Sequence, residues 1–143
     1  KWPNDVLVDG RKICGILCEA AAGAVVCGVG INVSLAPDEL PVPHATSLLI
    51  AGLDTDKTRL FESVLLRFAD LVEDWEQGAD ISQIYSAACS TIGRQVRVHL
   101  DVEHPDQGSV TGTAVGVGPD GELLVDVQGT ITAFPAGDVV HLR

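Results

Sequence analysis

The sequence predicts an α+β chain, and three observations predict it. The N-terminal stretch is written in short strand-forming runs broken by Gly, Asn and Asp. The middle carries apolar residues at three- and four-residue steps. After Thr91 helix periodicity disappears and short strands return at hairpin spacing. The expectation is a sheet with helices in residues 1–91, then a small antiparallel barrel in residues 92–143.

Residues 6–33 read as two or three strands. Val6-Leu7-Val8 is followed by Asp9-Gly10, a hairpin signal because both residues tolerate left-handed backbone, and then by the apolar run Ile13 to Cys18. Ala24 to Ile31 is apolar on both faces, which predicts a central strand covered on both sides. Residues 35–56 hold three prolines, so they read as a surface loop with a helical turn near Ser47-Leu48-Leu49. From Lys57 to Gln77, Leu60, Phe61, Val64, Leu65, Phe68, Leu71, Val72 and Trp75 form one helical stripe. Asp54, Thr55 or Asp56 can cap its start, and Gly78 can take the left-handed position at its end. Asp80-x-x-Gln83 resembles a capping box opening a second helix whose apolar face is Ile81, Ile84, Tyr85 and Ala88. Strands are expected at Gln95 to Leu100, Ser109 to Val117, Leu123 to Val127, Thr130 to Phe134 and Val139 to Leu142. The turns between them are His104-Pro105-Asp106-Gln107-Gly108, Pro119-Asp120-Gly121 and Gln128-Gly129.

Composition excludes several classes of function. Nine Lys and Arg against 20 Asp and Glu leave a formal charge of −11, which repels a phosphate backbone, so this segment is not expected to contact nucleic acid. No apolar run approaches the roughly 20 residues that cross a bilayer. Cys14, Cys18, Cys27 and Cys89 are too few and too irregularly spaced for a disulfide framework, and Cys14-x3-Cys18 lacks the partners of a zinc site. They read as buried structural thiols in a reducing cytoplasm. The start at Lys1 lacks the features of a signal peptide and reads as a cut in a longer chain.

Three polar motifs could carry chemistry. Lys1-Trp2-Pro3-Asn4-Asp5 gathers a lysine, an amide and a carboxylate at a strand entrance, although Pro-Asn-Asp is also ordinary turn chemistry. Trp2 reads as a packing residue. In Arg11-Lys12-Ile13-Cys14-Gly15-Ile16-Leu17 a lysine opens an apolar strand whose glycine permits close approach, so the ammonium could face a phosphate; a solvated hairpin end is the competing reading. Gly28-Val29-Gly30-Ile31-Asn32-Val33 lacks the third glycine of a dinucleotide loop, but Asn32 could read a sugar or base, or simply form a turn.

In this order and with these gaps, Lys-Trp-Pro-Asn-Asp, Arg-Lys-x-x-Gly-Ile-Leu-x-Glu and Gly-x-Gly-x-Asn-Val resemble the biotin protein ligase family, and Ala45-Thr46-Ser47-Leu48 extends the likeness. The resemblance implies part of a class II synthetase-like mixed sheet with helices, followed by an SH3-like barrel. It implies formation of biotinyl-5′-AMP from biotin and ATP with Mg²⁺, then transfer of biotin to a lysine of a biotin carboxyl carrier domain. Lys12 and Asp5 would be the catalytic pair. Lys12, Gly15, Ile16 and Leu17 would contact biotin, and Asn4, Asp5, Lys12, Gly28, Gly30 and Asn32 the adenylate, with no dedicated protein cage for a metal. The resemblance also allows a homodimer. The family's phosphate-covering Gly-Arg-Gly-Arg-type loop does not occur in these residues, so this segment alone is expected to be inactive. A lipoate protein ligase and a non-catalytic binding module are the rival readings.

Overall fold

A computed structural model describes residues 1–100 and 108–142, which fall into two compact units: Asn4–Asp70, and Lys1–Pro3 with Leu71–Arg143. The expected turn at His104 to Gln107 lies outside the described residues.

In the first unit, β1 (Asp5–Val8), β2 (Arg11–Ala21) and β3 (Ala24–Ile31) form an antiparallel sheet in that order. Asp9 and Gly10 have φ of 50° and 76°, so the predicted hairpin forms through a turn that needs two left-handed residues. A parallel bridge from Lys12 to Ala45 adds the following loop to the sheet. Ile13, Cys14 and Leu48 make a small core, with Val8, Ile16, Ile31, Val33 and Leu60 packed against it. Ser47 organises the turn between, its hydroxyl donating to the Leu35 carbonyl and accepting from the Ile50 N–H.

The expectation for Ala24 to Ile31 is corrected. The central strand is β2, and β3 lies at the edge with Ala24 to Gly30 exposed. Two apolar faces say that a strand is suited to cover, and among the described residues only its end at Ile31 is packed, with Leu60 against the small core. The same holds for α1 (Lys57–Glu76). It begins where Asp56 Oδ1 accepts from the N–H groups of Thr58 and Arg59 and ends at Gly78 with φ of 87°, as its caps predict, yet none of its residues is buried. The cysteines divide as well: Cys14 and Cys89 are buried, whereas Cys18 and Cys27 are exposed and face each other across β2 and β3 with sulfurs 3.1 Å apart.

In the second unit α2 (Ile81–Ala88) is capped by Asp80, which accepts from the Ser82 N–H and hydroxyl. Gln83 donates its amide to the Asp80 carboxylate instead of reaching back to the backbone, so the cap is not a reciprocal box. The strands β4 (Gln95–His99), β5 (Ser109–Val117), β6 (Leu123–Val127), β7 (Thr130–Phe134) and β8 (Asp138–His141) form one antiparallel sheet in the order β7-β6-β5-β4-β8. Alternation puts Val96, Val98, Ala114, Leu123, Val125, Phe134 and Val139 inside. Gly112 is required there, because a Cβ would meet the Asp126 carbonyl oxygen far inside contact distance. Trp2 joins this core at 3% exposure, packed as a core residue.

Candidate functional site

Three of the polar groups that the sequence singles out, Asp5, Lys12 and Asn32, come together at the start of β2. Antiparallel pairing puts Asp5 opposite Gly15 and Leu7 opposite Lys12, with a register shift between Val6 and Leu7. The Lys12 ammonium bonds Asp5 Oδ1 at 2.5 Å. Asp5 is the better covered partner, its side chain 12% exposed against 33% for Lys12, so the ammonium keeps a face toward solvent.

Lys12 is held from its backbone on both sides. Its N–H donates to the His44 carbonyl and its carbonyl accepts from the Thr46 N–H. Arg11 clamps the same loop, donating from Nε and Nη2 to the Ala45 carbonyl at 3.1 and 2.7 Å. Asn32, at the exit of β3, closes the frame: its amide donates to the Thr46 carbonyl at 3.0 Å, its N–H to Ile13, and its carbonyl accepts from Leu48. The loop residues 44–48 are thereby tied to the ends of two strands.

Between them lies a cavity of about 270 Å³ lined by Lys12, Cys14, Gly15, Gly30, Asn32, Pro41, Val42 and Ala45. Gly15 lies against the lysine: a Cβ there would be in contact with both Lys12 Cε and Nζ at 3.4 Å, so it is side chains larger than Ala that would crowd them. Burial raises the pKa of the Cys14 thiol, outweighing the opposing pull of Lys12.

Five of the expected site residues thus come together: Asp5 and Lys12 through their ion pair, and Gly15, Gly30 and Asn32 with Lys12 around the cavity. Others do not line it. Asn4 spends an amide N–H on the Ile16 carbonyl, and Ile16 packs toward the small core. Leu17 is 64% exposed, and a Cβ on Gly28 would meet only the Leu17 carbonyl oxygen. Sequence reasoning missed Pro41 and Val42, which sit in an irregular loop whose path no periodicity reveals. Among the described residues no three His, Cys, Asp or Glu side chains cluster as a metal site, and no helix is long and apolar enough to cross a membrane.

Residues 1–35 match the family profile described as biotin/lipoate A/B protein ligase, and residues 91–142 that of the biotin protein ligase C terminal domain. The chain is 42% identical over its whole length to a biotin--[acetyl-CoA-carboxylase] ligase of Mycobacterium tuberculosis, covering 53% of that protein. Both ends of the chain are thus similar to biotin protein ligases. A ligase of the same name from Paracoccus denitrificans is 49% identical over 97% of the chain and 61% of its own length. The biotin protein ligase of Aquifex aeolicus, solved in complex with biotin and ATP, superposes with a TM-score of 0.77 at 26% identity, over 99% of this chain and 60% of the other. The chain therefore spans between half and two thirds of the length of these relatives.

Proposed function

We propose that this chain supplies the nucleotide- and phosphate-facing part of a biotin protein ligase. The observation that carries the reading is the Lys12–Asp5 pair at a cavity floored by Gly15 and Gly30 and flanked by Asn32. The crowded phosphorus transition state gains from a placed positive charge, and a lysine held at its backbone on both sides and paired at its ammonium with Asp5 provides one. In the first step the biotin carboxylate attacks the α-phosphorus of ATP, and pyrophosphate leaves. Lys12 stabilises the oxygens around that phosphorus. In the second step the amine of a carrier lysine attacks the acyl carbon, and AMP leaves on the same ammonium. Asp5 holds Lys12 in place and orients the incoming amine as it loses its proton.

Gly15, Ile16 and Leu17 offer backbone groups to biotin, and Asn4, Gly28, Gly30 and Asn32 serve the adenylate side. Among the described residues no cluster of His, Cys, Asp or Glu would hold Mg²⁺ by itself, so the ion would enter on the ATP phosphates, and Asp5 would be the protein carboxylate beside it. Its chemistry there is neutralisation of phosphate charge. The acceptor is a biotin carboxyl carrier domain, residues 1–91 belong to the catalytic part, and residues 92–143 form the terminal domain. A match to the biotin ligase C-terminal domain supports biotin over lipoate. Free thiols throughout fit a reducing cytoplasm. A homodimer is part of the reading.

The test is incorporation of labelled biotin into a carrier domain by the full-length polypeptide. Lys12→Ala is expected to lower the rate by about 10²–10³, the usual effect of removing one preorganised stabilising group. Undiminished ligation by Lys12→Ala would refute the assignment, and preferential incorporation of lipoate would replace the substrate.

A further inference from the structure

Cys18 and Cys27 have no part in the Lys12 site, yet the first unit brings them together. They are direct partners in the antiparallel ladder of β2 and β3, and both are exposed. The register sets their geometry. The Asn32 N–H donates to the Ile13 carbonyl, which makes Ile13 and Asn32 a hydrogen-bonded pair. Bonded and non-bonded pairs alternate along an antiparallel ladder, so five steps on, Cys18 and Cys27 form a non-bonded pair, the kind whose Cα atoms approach to about 4.5 Å. A disulfide spans Cα separations of about 4.4–6.8 Å, so this pair needs no backbone movement to close. The side chains already meet: the Cys18 thiol donates to Cys27 Sγ at 3.1 Å, and that bond raises the Cys18 pKa. Cys18 thereby holds its proton, and the first attack on a partner falls to Cys27. The other two thiols are buried, Cys14 four residues along β2 and so about 13 Å from Cys18, and Cys89 in the core of the second unit.

We propose that Cys18 and Cys27 are a reversible redox site, a cross-strand dithiol that closes to a disulfide by exchange with a low-molecular-weight disulfide. The Cys27 thiolate attacks one sulfur of the small disulfide; a bond forms between Cys27 and that sulfur, the original S–S bond breaks, and the other half leaves as a thiolate. Cys18 then gives up its proton and attacks the Cys27 sulfur, the Cys18–Cys27 bond forms, and the second half leaves. Two protein thiols are oxidised by two electrons, the small disulfide is reduced to two thiols, and the two protons pass to them. Closure also matters for the surface beside the pair. Cys27 lines an apolar groove with Val29, Ile31 and, on α1, Phe61 and Leu65. A sulfinate on Cys27 would set a charge against those side chains and is not reversed by thiols, whereas the disulfide is neutral and is reduced by them. This chemistry is independent of biotin transfer.

The test uses the full-length polypeptide, reduced, incubated with glutathione disulfide and quenched by alkylation. Cleavage at Glu19, which lies between the two cysteines, then lets peptide mass spectrometry tell a Cys18–Cys27 link from a glutathione adduct. The folded parent is expected to give the linked peptides with Cys14 unmodified by glutathione. In urea, where the strands no longer hold the thiols together, the ratio of linked to glutathione-bound Cys27 is expected to fall by about tenfold or more. Cys18→Ser should stop the reaction at the mixed disulfide on Cys27, and dithiothreitol should restore both thiols in the parent. An equal ratio in the folded and the urea-treated parent overturns the proposal. So does a folded parent in which neither cysteine reacts, or one in which either cysteine pairs with Cys14. The comparison of folded with unfolded parent involves no substitution, so it decides the matter even where Cys18→Ser fails to fold.

Discussion

In the proposed role Lys12 has competing demands: it must be held, yet its ammonium must stay available. The structure meets both by fixing the backbone through His44 and Thr46 and by pairing the side chain with the Asp5 carboxylate. Gly15 is the third part of this arrangement. It lies in regular strand and has no positive φ, so its role is spatial. An added Cβ would reach Lys12 Cε and Nζ at 3.4 Å, ordinary contact for Ala; the further methyls of Val would occupy the space the ammonium uses. Gly15→Val is therefore expected to lower biotin transfer by about tenfold or more by displacing Lys12, while Gly15→Ala stays within a few fold. β-Branched residues suit strands, so the Tm of Gly15→Val should hold within a few degrees. A variant that loses activity only in proportion to lost folded protein, followed by thermal unfolding beside the rate, would remove the spatial role. Legibility in sequence was good at this scale for groups whose type implies chemistry. Lys12, Asp5 and Asn32 stood out, whereas Pro41 and Val42 carry no chemical signature and enter the cavity only through the path of the loop.

At the scale of elements, β8 is the place where a titratable group meets a buried polar one. Burial depresses the pKa of His141, and the nearby charges of Arg94 and Lys1 add to the effect. A histidine whose folded pKa lies below its unfolded value of about 6.5 contributes stability that is fully present above that value. The contribution is lost as pH falls through the folded pKa, because the unfolded chain then binds the proton more readily. Tm is accordingly expected to drop by a few degrees between pH 7 and pH 5. His141→Gln, which keeps a polar group near Thr91 but cannot titrate, should show a shallower dependence than the parent. Parallel Tm curves for the two proteins, by scanning calorimetry in matched ionic strength, would exclude His141 as the source. Elements were the most readable scale. The five strands after Thr91 appear within about one residue of their expected bounds, and Asp56 and Gly78 end α1 as their chemistry dictates, since these signals are local. Strand order was not local: two apolar faces predicted a central β3, and the fold makes it an edge. Asp80 and Gln83 show the same limit on a smaller scale, where the right residues cap the helix through the other pair of atoms.

For the molecule as a whole, exposed apolar surface and net charge oppose one another. On β3, Val25, Val26 and Val29 are 66%, 61% and 49% exposed, and on α1 Phe61, Leu65 and Phe68 are 63%, 49% and 54% exposed. An edge strand with unpaired backbone and apolar side chains is a template for pairing with another chain, whereas a charge of −11 keeps copies apart at low ionic strength. Salt screens that repulsion within about 8 Å at 0.15 M without weakening apolar attraction. The 143-residue chain is therefore expected to bind a hydrophobic dye and to self-associate increasingly as salt is raised. Val26→Lys puts a charge on the edge itself and should hold the chain monomeric at salt concentrations where the parent associates. Light scattering across a salt series decides between edge pairing and the helix face: association of Val26→Lys equal to the parent's would move the responsible surface from β3 to α1, and Phe61→Lys would then be the variant that restores the monomer. Association that weakens as salt rises would instead make charge pairing, not apolar contact, the force between copies.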